Sequence, residues 1–388
     1  MPLNFPRWEE LSDDEQKPIY NLPLDRTYIV TGGPGTGKTI LAIHRAARLR
    51  KRYGEKAKIK FLVFNKPLML YLRQALVETG LTNADDDDNN SACTAQTWHS
   101  WFYKFYYNKT KRKVPEIVDY EPDWGKVINS LELTLKNSLP EWDHLIIDEA
   151  QDFPKELLRI LRKVTKNATI FADDCQAITE KGCTIADIMN AFNVGDRYYL
   201  TKNYRNSVEI YEAAKVFYAG DSNSIPATGF RHGSRPYLIS YNGKNEVIER
   251  IKNYTENNPG KYIGLFLPDF YTANKYHKEL REEIGKQNIQ IYYPHAKDPK
   301  LNFYKSGIKA LAYNVVKGLE FDAVFIPEVT NEYFWEDPDR VPKTKLNMLY
   351  MLSTRAKDDL FFFYNEKEDD KSFVVQKYIK NPALVEWE

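Results

Sequence analysis

The chain has 388 residues, 43% hydrophobic and 28% charged, with a formal net charge of +1, which suits a globular enzyme of about two domains whose surface is not basic as a whole. Three cysteines, Cys93, Cys175 and Cys183, form no CxxC pair and no cluster with histidine, so neither a disulfide framework nor a zinc site is indicated and a reducing compartment is expected. No apolar run approaches the roughly 18 residues of a membrane span, and the N-terminus carries charges and prolines where a signal peptide needs an apolar stretch, so a cytoplasmic protein with no membrane partner is expected.

Residues 26–31 are rich in β-branched and aromatic side chains and read as a short buried strand. Directly after it stands Gly32-Gly33-Pro34-Gly35-Thr36-Gly37-Lys38-Thr39, the P-loop pattern. Residues 38–52 lack Gly and Pro, carry Ile40, Ile43 and Ala47 on a helical spacing, and stop at Gly54. Strand, glycine-rich loop and helix are the context the pattern needs. Glycines let backbone N–H groups turn toward the β- and γ-phosphates of ATP, the helix N-terminus adds partial positive charge, Lys38 supplies a point charge, and the Thr39 hydroxyl coordinates Mg²⁺.

Further strands are expected at residues 58–64, 144–148, 168–172, 262–267, 309–313, 323–326 and 360–364, alternating with helical segments. Such alternation predicts an α/β fold with parallel sheets covered on both faces, and the length predicts two of them, one over residues 1–197 and one over 198–388. The acidic run Asp85-Asp86-Asp87-Asp88-Asn89-Asn90 reads as a solvated loop. The strand at 144–148 delivers Asp148 and Glu149 side by side at its C-terminal end. In a P-loop enzyme such a pair completes the Mg²⁺ site through Asp148 and polarises the attacking water through Glu149.

Several further stretches follow in a familiar order: Asn65-Lys66, Thr97-Trp98-His99-Ser100, Asp148-Glu149-Ala150-Gln151-Asp152, Phe171-Ala172-Asp173-Asp174-Cys175-Gln176-Ala177-Ile178, Asn203-Tyr204-Arg205-Asn206, Lys317-Gly318-Leu319-Glu320-Phe321-Asp322 and Tyr350-Met351-Leu352-Ser353-Thr354-Arg355-Ala356. Together with the P-loop these resemble motifs Ia to VI of the UvrD/Rep/PcrA-like branch of superfamily one helicases, over residues 16–356. The resemblance implies two RecA-like P-loop domains with the ATP cleft between them. It implies that Gln16 reads the adenine, Tyr204 stacks on it, and Glu320, beside Gly318, accepts from the ribose hydroxyl. It further implies Gln176 as γ-phosphate sensor and Arg205 and Arg355 as arginine fingers, a contribution of about 10³ to 10⁵ in rate where measured in other NTPases. Asn65 and the Thr97–Ser100 stretch, with His99, would face nucleic acid.

Departures lie on the nucleic-acid side. Only 47 residues separate Ser100 from Asp148 and only 110 separate Asn206 from Lys317, where full-length helicases insert accessory domains. After Ile178 come Thr179, Glu180, Lys181, Gly182 and Cys183, with no aromatic or arginine where the family places its base-stacking side chain. Ala312 and Asn314 stand where a threonine and a histidine are usual. Replacement stacking residues are expected in the aromatic run 98–107, with Trp98 and Trp101 foremost, followed by Lys109, Lys111, Arg112 and Lys113. The competing reading makes the same rings the buried face of an amphipathic helix.

Two functions are compatible with these features. One is an ATP-dependent translocase on single-stranded DNA, of 3′-to-5′ polarity by the resemblance. The other is a nucleotide-gated regulatory ATPase subunit serving a nuclease or phage-defence partner, with little unwinding of its own.

Overall fold

A computed structural model describes residues 6–82, 93–136, 139–173, 182–220, 228–294, 301–329, 342–365 and 378–388. The acidic run at 85–90, Cys175 and Gln176 lie outside them. The described chain is α/β, with two parallel sheets in the RecA-like P-loop arrangement.

The strands in chain order are β1 (Tyr28–Gly32), β2 (Ile59–Val63), β3 (Cys93–Thr97), β4 (Glu116–Val118), β5 (Glu121–Pro122), β6 (Trp142–Ile147), β7 (Thr165–Ala172), β8 (Tyr198–Leu200), β9 (Lys202–Ser207), β10 (Thr228–Arg231), β11 (Tyr237–Tyr241), β12 (Tyr262–Leu267), β13 (Ile289–Ile291), β14 (Gly307–Ala312), β15 (Phe321–Ile326), β16 (Ala356–Asn365) and β17 (Glu386–Trp387). The helices used below are α1 (Gln16–Asn21), α2 (Lys38–Tyr53), α3 (Lys66–Glu78), α4 (Trp98–Thr110), α5 (Trp124–Lys136) and α6 (Lys155–Val164).

The chain divides into two compact units. One comprises Phe5–Gly32 and Lys38–Leu200, and the other Thr201–Glu388 together with the P-loop segment Gly33–Gly37. In the first unit a six-stranded sheet runs β3-β2-β6-β7-β1-β8, every neighbouring pair parallel. Its central strands are continuous apolar runs, as sheets covered on both faces require: Phe61, Leu62 and Val63 in β2, and Leu145, Ile146 and Ile147 in β6, are wholly buried. In the second unit a seven-stranded sheet runs β13-β14-β12-β15-β16-β11-β17, again all parallel, around a core that includes Ile263, Leu265, Ala323, Phe325 and Phe361. Among the described residues no helix is long and apolar enough to cross a membrane.

Strand order positions the chemistry of the first unit. β6, β7 and β1 are consecutive neighbours and parallel, so their C-terminal ends lie at one edge of the sheet. Asp148 follows β6, Asp173 follows β7 and the P-loop follows β1. Residues more than 100 positions apart meet there because a parallel sheet aligns strand ends, the usual place for ligands in α/β folds.

Candidate nucleotide site

Lys38 opens α2 and is buried. Its Nζ donates to the Gly32 carbonyl at 2.6 Å and pairs with Asp173 Oδ2 at 3.2 Å, which holds the ammonium at the mouth of the loop instead of letting it extend into solvent. Thr39, the next residue, donates its hydroxyl to Asp148 Oδ2 at 2.6 Å. Asp148 is 0% exposed. Burial, and then the charge of neighbouring Glu149, push its carboxyl up to about 6, while the Thr39 hydrogen bond and Lys38 oppose that rise.

Glu149 sits at φ +57, left-handed backbone that is uncommon for a side chain of this size. The turn lets its own N–H donate to Asp148 Oδ1 at 3.1 Å and sends the chain into the short helix Ala150–Asp152. Gln151, buried beside it, donates its amide to Glu149 Oε2 at 2.6 Å and accepts from the Asp173 backbone N–H at 2.9 Å. One amide therefore ties the end of β6 to the end of β7. Neither this bridge nor the Lys38–Asp173 pair follows from sequence spacing; both depend on β6 and β7 being neighbours.

The donor set suits a magnesium nucleotide. Mg²⁺ is a hard cation that takes one or two carboxylate oxygens and completes its shell with water and phosphate. The Asp148 carboxylate offers such an oxygen with the Thr39 hydroxyl against it, and Glu149 is adjacent. Among the described residues no group of three or more His, Cys, Asp or Glu forms a protein-only metal cage.

The P-loop backbone meets the steric demands of a phosphate cradle. Gly35 and Gly37 take φ of +76 and +87, values open to glycine and strained for L side chains. Thr36 Oγ1 donates to the Gly33 carbonyl at 2.9 Å, closing the loop on itself. In the unit that contains this segment, the Tyr204 N–H donates to the Gly35 carbonyl at 2.9 Å. A Cβ at Gly35 would lie 2.0 Å from Asn203 Oδ1, so the position admits no side chain without displacing Asn203.

Around Asn203 the second unit builds a polar knot. Asn203 Oδ1 accepts from the backbone N–H groups of Arg205 and Asn206, both at 3.0 Å, and its amide donates to Asn206 Oδ1 at 2.8 Å. Arg205 Nε pairs with Glu320 at 2.9 Å and Nη1 donates to the Thr354 carbonyl at 3.3 Å. Burial raises the Glu320 carboxyl, but the Arg205 guanidinium, then Lys357 and Arg355, outweigh it and hold the group down at about 2. Arg355 is nearly fully buried and donates to the Met351 carbonyl at 3.0 Å and the Thr354 hydroxyl at 3.3 Å. The structure thus brings Arg205, Glu320 and Arg355 into one cluster, with Glu320 occupied by Arg205. Gly318 takes φ +80 in the turn just before Glu320.

Gln16 begins α1 and is buried; its Oε1 accepts from the Ser12 N–H at 3.1 Å. Asn65 caps α3, accepting from the Leu68 N–H at 2.8 Å, a structural task independent of any nucleic acid.

Trp98 and Trp101 require a correction. They are 4% and 6% exposed and belong to the core cluster that also holds Phe102, Phe105, Phe153 and Leu157. Trp101 stacks on Phe105 at a centroid distance of 4.9 Å and meets Trp142 at 5.1 Å. Rings packed this way present no face to a base, so the buried-helix reading holds for both. His99 is partly exposed, with burial lowering its imidazole to about 4, so it is neutral at physiological pH.

Residues 17–181, less than half of the chain, match the family model described as an AAA domain. None of the curated proteins compared with the chain matches it. Among solved structures, the C-terminal domain of a "possible DNA helicase" from Lactobacillus plantarum WCFS1 is 16% identical, with 47% of this chain and 97% of that one covered and a TM-score of 0.35. The PRRSV helicase is 11% identical, with a TM-score of 0.42, and covers 92% of this chain, which spans 56% of the viral protein. Likeness at this level adds nothing to the site derived above.

Proposed function

We propose that the chain is a Mg²⁺-dependent P-loop ATPase of the helicase type that acts on single-stranded DNA. The observation that carries this reading is the contact of the Thr39 hydroxyl with buried Asp148 at 2.6 Å, one residue beyond a lysine held at the mouth of a glycine-rich loop. The UvrD-like type and the 3′-to-5′ polarity rest on the motif resemblance.

Within this reading Lys38 neutralises phosphate charge, and Thr39 and Asp148 hold Mg²⁺, which when bound supplies positive charge to the β- and γ-phosphate oxygens. Glu149 accepts the proton of the attacking water, with the Gln151 amide fixing its orientation. Gln16 reads the adenine edge, Tyr204 covers its face and Glu320 accepts from the ribose. Arg205 and Arg355 stabilise charge on the transferring phosphoryl group, and Gln176 senses it. For Arg205 and Glu320 these roles require their mutual ion pair to open.

A second reading, a regulatory ATPase subunit of a nuclease or defence complex, is favoured by one observation: both tryptophans that would have gripped a strand are in the core. Hydrolysis tests the primary claim. Glu149→Gln is expected to retain ATP binding while turnover falls roughly 10² to 10⁴-fold, the size of a lost general base, and Lys38→Ala to weaken binding as well. Unchanged turnover in Glu149→Gln would place the base elsewhere.

A further inference from the structure

Arg45 lies two helical turns beyond Lys38 on α2. It is wholly buried and makes no ion pair among the described residues. Backbone carbonyls occupy its guanidinium instead. Nη1 donates to Ile19, Tyr20 and Leu22 at 3.0, 3.3 and 3.1 Å, Nη2 donates to Pro23 at 3.2 Å, and Nε donates to Thr169 Oγ1 at 3.1 Å. Arg48, one turn further along, donates to the Leu22 carbonyl at 2.8 Å and also to that of Tyr20.

These carbonyls belong to the last turn of α1 and the segment that leaves it. The final carbonyls of any helix lack partners within the helix, and its C-terminal end carries partial negative charge. A helix of six residues is too short to persist by its own hydrogen bonds. A buried cation without a carboxylate is likewise unfavourable unless dipoles surround it. Each problem is the other's solution: α1 supplies the dipoles and Arg45 supplies the cap. At the opposite end of the same helix stands Gln16.

We propose that Arg45, assisted by Arg48, is a positioning residue for nucleobase selection, fixing the helix that carries Gln16 to the helix that carries Lys38 and Thr39. This rests on the reading of Gln16 as the adenine reader. A lysine at position 45 keeps the charge but cannot span four carbonyls with a planar fork, so α1 would remain attached and lose its alignment.

The test measures ATP and GTP binding, by competition against a fluorescent adenine nucleotide, and hydrolysis of both by the full chain. Gln16→Ala is expected to erase the preference for ATP. Arg45→Lys is expected to reduce that preference about tenfold, of the order expected for one charged hydrogen bond, through a higher KM for ATP with kcat little changed. The double variant should be no less selective than Gln16→Ala alone, because both changes act through one residue. A lower melting temperature in Arg45→Lys with the wild-type ATP/GTP ratio would make Arg45 merely structural and overturn the proposal, as would a wild-type protein with no base preference. If Arg45→Lys does not fold, half-buried Arg48→Lys carries the same comparison with a smaller shift, and an unchanged ratio there also overturns it. Failure of the wild-type chain to bind ATP at all would instead sink the ATPase reading.

Discussion

Thr169 serves two buried groups at once: its hydroxyl oxygen accepts from Arg45 Nε and lies 2.9 Å from His144 Nε2. Burial, and then the charge of Arg45, lower the His144 imidazole to about 3, so it is neutral in the folded protein at physiological pH. In the unfolded chain the same ring titrates near the ordinary value of about 6.5. Between those two values only the unfolded state binds the proton, so stability contributed by neutral His144 is present above about pH 6.5 and is lost as pH falls toward 3. Asp148, raised in the folded state, works in the opposite sense between about 6 and the usual carboxylate range near 3.8. The expected outcome is a melting temperature that drops from about pH 7 to about pH 5 in the wild type and drops less in His144→Gln. Equal slopes in thermal melts of the two proteins would show that His144 does not carry the effect. The placement of Lys38 and Thr39 at a helix start and of Asp148 and Glu149 after a strand was legible in sequence because it is local, a loop before a helix and a carboxylate pair after an apolar run. The contacts of Asp173 with Lys38 and Gln151, and of Arg45 with the α1 carbonyls, were not, because each joins residues of different elements.

At the scale of elements, α4 shows where sequence left two answers open. Its aromatics recur at helical spacing and are followed by cations, a pattern shared by a strand-binding face and a core face. The choice was made by α5 and α6, which pack into the same cluster and bring Trp124, Leu157 and Leu161 against the rings. Trp101→Ala is therefore expected to destabilise the protein by about 3 to 5 kcal/mol, the cost of a large cavity in a packed core, in denaturant melts. A loss below about 1 kcal/mol would return Trp101 to the surface. β3 was missed for a related reason: Thr94, Gln96 and Thr97 break any apolar run, yet all its residues are buried, with the Lys60 ammonium donating to Thr94 Oγ1 at 2.7 Å. Polar side chains satisfied inside a sheet leave no hydrophobic period to detect. By contrast β12 falls on residues 262–267 as predicted, since it is a continuous apolar run in the middle of its sheet.

For the molecule as a whole, the near-zero net charge limits how any nucleic acid is held. Affinity for single-stranded DNA is expected to be modest and to fall steeply between about 50 and 200 mM salt, because contacts to phosphate release counterions. Under the translocase reading single-stranded DNA raises the ATPase rate severalfold, and under the regulatory reading it leaves the rate unchanged while a protein partner raises it. Steady-state ATPase assays with and without oligonucleotide distinguish them, and Trp98→Ala is expected to matter only through folding. Robust duplex unwinding by the purified chain would contradict the weight placed on its short inter-motif spacings.

The sequence by itself determined the glycine-rich loop between strand and helix, the carboxylate pair and the alternation of strands and helices, since each is written in residues adjacent along the chain, where glycine conformations, helix starts and apolar runs have direct physical causes. Tertiary structure alone decided that β7 lies between β6 and β1, and so that Asp173 meets Lys38 and Gln151 links two strand ends. It also decided that the tryptophans are core and that a buried arginine caps the helix bearing Gln16. Those outcomes depend on which faces are covered and which strand ends are aligned, and burial and dipole satisfaction are properties of the packed molecule, not of any single stretch of it.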